Sequence, residues 1–277
     1  MDVLMDLDIK SIKQTIDDAE VVLITAGAGM GVDSGLPDFR GNEGFWKAYP
    51  AVAKLELRFE EMANPQWFET EPEFAWAFYG HRLNLYKETM PHRGFELLLD
   101  LVKQKKDNYF IYTSNVDGQF QKAGFDSEKI YEIHGSIHHF QCSRDPLHGI
   151  WSARDIAIEV DMDSFKVKNL PKCRVCDVVA RPNILMFGDW SWKPARSNEQ
   201  EARFNKWKKS VRTKKIVIIE IGAGTAIPSV RMLSEYMSSI NHNATLIRIN
   251  PRDYSIPTKD DISLACGGLE GLEAILT

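Results

Sequence analysis

The chain has 277 residues, of which 44% are hydrophobic and 26% are charged, with a formal net charge of −5. This length allows one large or two modest domains, and the acidic balance argues against general nucleic-acid binding. The start is acidic rather than signal-like and no apolar run reaches the roughly 18 residues of a membrane span, so we expect a cytoplasmic protein without membrane contact.

The first elements predict a helix, a buried strand and a glycine turn. Residues 8–19 carry isoleucines at helical spacing, residues 21–25 are a β-branched apolar run, and residues 26–31 read AGAGMG. Glycines bring backbone N–H groups close to an anion, and we expect Asp33 and Ser34 to begin a helix whose N-terminal dipole adds to this. The spacing lacks a glycine that the dinucleotide fingerprint requires. A purely structural turn is therefore an equal alternative.

The next two segments are a loop and a set of aromatic-rich helices. Residues 35–40, GLPDFR, put a proline, an acid, an aromatic and a cation in succession, which is more than a structural turn needs. Residues 42–89 predict helices whose aromatic residues are mostly core. Tyr79 and Arg82 lie three residues apart and so share one helix face.

The α/β pattern resumes with a predicted helix over residues 95–103 and a buried strand over residues 109–113. This strand delivers Ser114, Asn115 and Asp117 at its carboxyl end, where α/β folds place ligands. On the residues alone, simple loop formers are the commoner interpretation.

Residues 131–133 predict a short strand that leads into His134, and a solitary loop histidine is usually inert. An imidazole with a pKa near 6.5 is nevertheless suited to accept a proton at neutral pH. His138 and His139 are interpreted as strand residues.

Residues 141–182 lose the α/β pattern and contain Cys142 and the Cys-x-x-Cys pair Cys173 and Cys176. In a cytosolic protein such cysteines favour metal ligands or thiols over disulfides.

The C-terminal part returns to strands and helices. Residues 181–189 return to an extended apolar run, residues 199–212 predict a charged helix, and residues 216–221 predict the most apolar strand, which ends in the glycine turn 222–225. Strands over residues 245–249 and 261–266 follow.

The chain resembles the sirtuins, the NAD-dependent protein deacylases. The resemblance rests on segments that follow the family's order over nearly the whole chain: GAGMGVDSGLPDFRG at 27–41, TSNVDG at 113–118, HGS at 134–136, Cys173 with Cys176, RPN at 181–183, FGD at 187–189, GAGT at 222–225 and INP at 249–251. Ser114 departs from the family's usual glutamine, which puts ribose binding and rate in question.

The resemblance implies roles for individual residues. His134 would be the catalytic base, with Asn115 and Asp117 at the nicotinamide pocket. Phe187 and Gly188 would offer an edge to an extended substrate peptide. The NAD-binding residues it implies are Ala26, Gly27, Ala28, Gly29, Asp38, Phe39, Arg40, Ser114, Asn115, Asp117, His134, Gly222, Gly224, Thr225, Asn250 and Cys266.

The resemblance also implies a structural zinc ion, which the family holds with four cysteines. This chain has Cys142, Cys173 and Cys176, and Asp145 stands where the fourth cysteine is expected, with His148 as a second candidate. Loss of the metal is an open alternative. The short module has few large apolar residues, which favours zinc with Asp145 or His148 as the fourth ligand.

The predicted fold is α/β, a doubly wound, Rossmann-like parallel sheet with a second, smaller domain. Residues 1–41, 90–137 and 183–277 would form the NAD-binding domain. Residues 42–89, a helical insertion, and 138–182, the zinc module, would form the small domain, and NAD and substrate would bind in the cleft.

The expected function is removal of acyl groups from protein lysine, giving nicotinamide and O-acyl-ADP-ribose. The Tyr79 and Arg82 pattern resembles the branch that removes succinyl and malonyl groups, because a guanidinium and a phenol can bind a carboxylate. Acylated proteins or peptides are the expected partners, and the oligomeric state is unknown. Alternatives are an ADP-ribosyltransferase or NAD hydrolase that uses the same pocket, and a non-catalytic NAD or ADP-ribose sensor.

Overall fold

The computed structural model describes residues 8–37 and 42–277. The helices are α1 (Ile9–Asp18), α2 (Asn42–Ala48), α3 (Pro50–Ala53), α4 (Phe59–Met62), α5 (Trp67–Thr70), α6 (Pro72–Glu88), α7 (Arg93–Gln104), α8 (Gln119–Lys122), α9 (Ala195–Ser210), α10 (Ser229–Ile240) and α11 (Gly268–Leu276). The strands are β1 (Val21–Ala26), β2 (Tyr109–Thr113), β3 (Ile130–Glu132), β4 (Gly135–Cys142), β5 (Ile150–Ser152), β6 (Val160–Asp161), β7 (Lys166–Val167), β8 (Ala180–Ile184), β9 (Ile216–Ile221), β10 (Ala244–Ile249) and β11 (Ile262–Leu264).

A six-stranded parallel sheet forms the centre of the larger part of the molecule. Its strand order is β11-β10-β9-β1-β2-β3, and β1 pairs in parallel with β2 on one side and β9 on the other. The chain builds the sheet outwards from β1 to β3 and later returns to the other side of β1. The strand order therefore reverses between β1 and β9, and a ligand crevice is expected there.

Helices cover both faces of this sheet because successive strand side chains point in opposite directions. Val22 and Ile24 pack in the core that includes buried residues of α1, α7 and α11. Val21 and Leu23 pack on the opposite face with Phe204 of α9 and Met237 of α10. The predicted doubly wound α/β sheet is confirmed.

A second core lies between α6 and a three-stranded antiparallel sheet of order β5-β4-β8. Trp76 of α6 is fully buried there and donates a hydrogen bond from Nε1 to the carbonyl oxygen of Ala180 at 2.8 Å. Its ring meets that of Phe140 edge to face, with centroids 4.9 Å apart. The aromatic residues of the helical insertion are thus mainly packing residues, as predicted.

Two local predictions were wrong. Asp33 and Ser34 do not begin a helix, because a 3₁₀ helix already runs from Ala28 to Ser34 and ends at Gly35, whose φ is 85°. The last strand spans only Ile262–Leu264 rather than residues 261–266, and the carboxylate of Asp261, just before it, accepts the N–H of Leu246 and the hydroxyl of Thr258.

None of the helices in the described ranges is long and apolar enough to cross a membrane.

Candidate active site

A cavity of about 700 Å³ opens at the carboxyl ends of β1, β2 and β9. It extends from the two glycine turns to helix α6 and the segment that follows β8. Its lining includes Gly27, Ala28, Phe59, Tyr79, Arg82, Tyr86, Ser114, Asn115, Asp117, His134, Leu185, Met186, Phe187, Gly224, Thr225, Val230, Arg252 and Asp253.

The two glycine turns touch each other at this end of the sheet. A Cβ atom on Gly27 would lie 2.7 Å from the carbonyl oxygen of Gly222, and one on Gly222 would lie 2.4 Å from the Cα of Gly29. Gly222 also has φ +62°, which disfavours any side chain. Glycine is therefore required at positions 27 and 222, where the two turns contact each other.

The residues after β2 are fixed by bonds to the neighbouring turn. The side-chain Nδ2 of Asn115 donates to the carbonyl oxygen of Gly27 at 3.0 Å. Asp117 is buried, and one of its carboxylate oxygens accepts the N–H of Gln119 at 2.9 Å. Burial raises the pKa of Asp117 to about 6, assisted by the charge of Glu132 and opposed by the Gln119 bond and by Arg82.

His134 lies half-buried in the connection between β3 and β4 and lines the cavity. Its carbonyl oxygen accepts the N–H of Leu185 at 2.9 Å. The next residue, Gly135, has φ +78°, and a Cβ there would lie 2.1 Å from the carbonyl oxygen of Asn183. Burial lowers the pKa of His134, and a hydrogen bond with the backbone of Ser114 acts in the opposite direction. The imidazole is therefore neutral at pH 7 and able to accept a proton.

Tyr79 and Arg82 of α6 line the other end of the cavity. Arg82 is buried and donates from Nε and Nη2 to the hydroxyl of Tyr86, at 3.1 and 2.8 Å. The Arg82 guanidinium also lies within 5.8 Å of the Tyr79 ring centroid and 5.2 Å of that of Phe78. Burial raises the pKa of Tyr79 to about 12, opposed by the charge of Arg82.

Several predicted cofactor residues lie outside this lining. Asn250 instead donates from Nδ2 to the carbonyl oxygen of Ala223 at 2.7 Å, so it joins the turns after β9 and β10. Cys266 packs in the sheet core, where burial raises the pKa of its thiol to about 11. Asp38, Phe39 and Arg40 lie outside the described residues. The predicted cofactor residues absent from the cavity lining are Ala26, Gly29, Gly222, Asn250 and Cys266, and the predicted substrate residue Gly188 is absent from it too.

The sequence did not reveal several other polar and aromatic lining residues. Phe59 and Tyr86 come from helices in which aromatic residues are abundant, so nothing in their pattern separates them from core residues. Arg252 and Asp253 lie in an irregular segment after β10. The polar residues that follow Asn250, in the sequence PRDYS, are the feature of the sequence that could have pointed to them.

Cys142, His148, Cys173 and Cys176 form a cluster away from the cavity, with their ligand atoms all within 4.8 Å of one another. The sulfur atoms of Cys142 and Cys176 are 3.6 Å apart, and Nδ1 of His148 lies 3.5 Å from the sulfur of Cys173. Burial alone would raise the pKa of Cys142, but hydrogen bonds from the backbone of Asp145 and Arg144 and from His148 lower it to about 6. Three thiols and one imidazole are a donor set that fits structural zinc.

Asp145 and His148 were the two predicted candidates for the fourth ligand, with Asp145 preferred, and His148 occupies that place in the cluster. The Asp145 carboxylate accepts the N–H of Leu147 at 2.8 Å and lies 3.3 Å from Nε2 of His148. It is turned towards the far side of the imidazole and therefore orients His148 rather than joining the sulfur atoms.

Comparison with known proteins gives the family. The Sir2 family profile matches residues 27–220, so the chain belongs to the Sir2 family. A full-length relative is the NAD-dependent protein deacylase 1 of Caldanaerobacter subterraneus subsp. tengcongensis, which is 25% identical over 264 residues, 95% of this chain and 96% of the relative.

Two solved structures share the fold. A Sir2 homolog in complex with NAD is 23% identical, with a TM-score of 0.70 over 96% of this chain and 92% of the other. A Sir2 protein with a p53 peptide and NAD+ is 19% identical, with a TM-score of 0.69 over 97% of each chain.

Proposed function

We propose that the chain is an NAD-dependent enzyme that removes acyl groups from protein lysine and releases nicotinamide and O-acyl-ADP-ribose. The observation that supports this most strongly is that His134, Asn115 and Asp117 line the same cavity as Gly27 of the first glycine turn. Relatives across nearly the full length are NAD-dependent protein deacylases.

The residues present suit a dinucleotide. At the Gly27 turn, backbone is exposed to the cavity at the point where the strand order reverses, which is where α/β folds bind nucleotides. NAD would supply the ADP-ribose unit that accepts the acyl group. His134, neutral at pH 7, would take the proton of a ribose hydroxyl. Asn115 and Asp117 would hold the nicotinamide amide, and Ser114 would lie beside the ribose.

We further propose that the enzyme prefers acidic acyl groups such as succinyl and malonyl over acetyl. Arg82 is a buried cation on the cavity wall, and its guanidinium lies within 6.0 Å of the ring centroids of Phe59, Tyr79 and Tyr86. A carboxylate at the end of an acyl chain would accept hydrogen bonds from the guanidinium and complement its charge. Such a contact lies away from the reacting carbon, so it would strengthen binding of the acidic acyl group rather than speed the chemical step.

We also propose that Cys142, His148, Cys173 and Cys176 hold one structural zinc ion. The cluster joins the end of β4 to the loop before β8. Zinc there would stabilise a part of the small module that has little apolar core.

The test is product analysis by mass spectrometry with NAD alone and with NAD plus acetyl-, succinyl- and malonyl-lysine peptides. The expected result is peptide-dependent nicotinamide release with O-acyl-ADP-ribose, fastest for the acidic groups. His134→Ala should abolish it, and His139→Ala, a half-buried strand histidine outside the cavity lining, should not. ADP-ribose on protein, or nicotinamide release without peptide, would instead indicate a transferase or a hydrolase. Binding without any product would indicate a sensor.

A further inference from the structure

An ion pair is buried in the middle of the parallel sheet, next to the cofactor end of the cavity. Glu220 of β9 and Arg248 of β10 are register partners, and both are fully buried. Nε of Arg248 lies 2.6 Å from Oε1 of Glu220, and Nη2 lies 3.1 Å from Oε2. A well-packed apolar pair is often as stable as a buried ion pair, because both ions lose their hydration. Stability alone therefore does not explain the pair.

The guanidinium groups of Arg248 and of a second arginine, Arg231, both bind the backbone of the segment 251–255. Arg248 donates from Nη1 to the carbonyl oxygen of Ser255 and from Nη2 to Glu235. Arg231 of α10 donates from Nη1 to the carbonyl oxygen of Asp253 at 2.5 Å and from Nη2 to that of Ser255 at 3.2 Å. Glu220 and Glu235 lie 4.0 and 3.9 Å from Arg231, and because both also pair with Arg248, the two carboxylates balance the two cations.

The segment 251–255 has no regular secondary structure, so bonds from the arginine side chains hold its carbonyl oxygens in place of backbone–backbone hydrogen bonds. Its N–H groups are held from the other side, because Oδ1 of Asn250 accepts the N–H of Arg252 and of Asp253, both at 3.0 Å. Nδ2 of Asn250 in turn binds the turn after β9. The segment is therefore fixed through both its donors and its acceptors.

The same segment forms a wall of the cavity. Arg252 and Asp253 line it, together with Thr225 and Val230. Thr225 Oγ1 lies 3.5 Å from a carboxylate oxygen of Asp253, and Val230 precedes Arg231 in α10. Displacement of the segment would therefore move the wall next to the glycine turn 222–225, and the distant residues Tyr79 and His134 would stay in place.

We infer that Arg231 is a positioning residue that sets cofactor affinity by holding the segment 251–255 in place through the carbonyl oxygens of Asp253 and Ser255. Glu220 and Arg248 anchor it from the sheet. The inference has a structural half, that Arg231 holds the segment in the free protein, and a cofactor half, that this sets the affinity for NAD. Only the cofactor half rests on the proposed function.

The structural half is tested by amide hydrogen exchange on the free chain. Arg231→Met keeps the aliphatic stem and removes the donors, and it should speed exchange in peptides that cover residues 250–256 at least tenfold. Arg203→Met is the matched control, because Arg203 donates to the carbonyl oxygen of Glu128 and pairs with its carboxylate away from the cavity. Arg231→Lys, which can still reach one carbonyl oxygen, should be intermediate. Unchanged exchange in folded Arg231→Met would overturn the inference.

The cofactor half is tested by calorimetry with ADP-ribose and by steady-state kinetics. Arg231→Met should weaken ADP-ribose binding and raise KM for NAD about tenfold, with KM for the acyl peptide and kcat at saturating NAD within about twofold. Faster exchange with unchanged ADP-ribose affinity, or an equal loss in kcat, would refute the link to the cofactor. If the unmodified protein bound neither NAD nor ADP-ribose, the proposed function would fail together with the cofactor half, and the exchange result would still decide the structural half.

Discussion

Arg82 donates two hydrogen bonds to one atom, the hydroxyl oxygen of Tyr86, which lies one helical turn further along α6. The phenol fixes the orientation of the guanidinium, since an arginine side chain otherwise has many rotamers. Both residues line the cavity. Selectivity for the acyl group should therefore depend on the two residues together.

The first prediction concerns acyl selectivity. Arg82→Met should raise KM for a succinyl peptide by roughly tenfold or more and leave kinetics with an acetyl peptide almost unchanged, because the lost contact is made equally in the ground and transition states. Tyr86→Phe should give a smaller change in the same direction. Steady-state kinetics with the two matched peptides provides the measurement. An unchanged ratio of kcat/KM values in Arg82→Met would exclude the assigned role.

The second prediction concerns the base. His134→Ala should lower kcat by roughly 10²-fold or more, the usual contribution of a general base, while ADP-ribose binding changes little. Burial lowers the pKa of His134 from its ordinary value of 6.5, so the imidazole of the unmodified enzyme should become protonated only below pH 6.5. The acidic limb of its rate profile should then lie below that pH and disappear in the variant. Near-normal turnover of His134→Ala would disprove the assignment.

The third prediction links the active site to stability. The pKa of Asp117 is about 6 in the folded chain, above the ordinary value of 3.8, so the folded state binds the proton more tightly. The resulting stabilisation is complete below about pH 4 and is lost as the pH rises through 6, at a cost on the order of 3 kcal/mol. Asp117→Asn should remove this dependence and be more stable than the unmodified chain at pH 7, yet less active.

Urea unfolding at pH 4.5 and pH 7 measures this effect. Asp126→Asn is the control, because the exposed Asp126 accepts the N–H of Glu128 just as Asp117 accepts that of Gln119. Parallel pH profiles for Asp117→Asn and the unmodified chain would show that the carboxyl is not the cause.

The fourth prediction concerns the metal. Protein purified without added metal should contain about one zinc per chain by elemental analysis. Cys173→Ser and His148→Ala should lose most of it, and Asp145→Ala should weaken zinc binding by about 10- to 100-fold, as expected for a residue that orients a ligand. Cys266→Ser alters a buried cysteine outside the cluster and should keep the zinc. Equal zinc contents in His148→Ala and the unmodified chain would rule out the imidazole as a ligand.

The sequence predicted the central strands and the polar residues at their ends because those signals are local. A branched apolar run such as β9 has few alternative structures, and Asn115 and His134 follow directly from strand ends. The fourth member of the metal cluster was not predictable in the same way. Asp145 and His148 lie three residues apart, and only the turn between them decides which one faces the sulfur atoms.

Contacts that depend on strand register were also beyond the sequence. Glu220 and Arg248 meet because β9 and β10 align those positions. A one-residue slip would have placed their side chains on opposite faces of the sheet. The segment 251–255, which they help to hold, has no periodic pattern, so its place on the cavity was not foreseen.

The contact between the Gly27 and Gly222 turns also bears on how the chain folds during synthesis. β1 is an interior strand that needs both β2 and β9 as neighbours, and β9 leaves the ribosome long after the other two. Until then β1, whose residues are apolar except for Thr25, has an edge of unpaired backbone N–H and C=O groups, which is a site for association with other chains. The Gly27 turn thus takes its final shape only when the Gly222 turn has been synthesised. A nascent chain that stalls before β9 should therefore be both inactive and prone to aggregate.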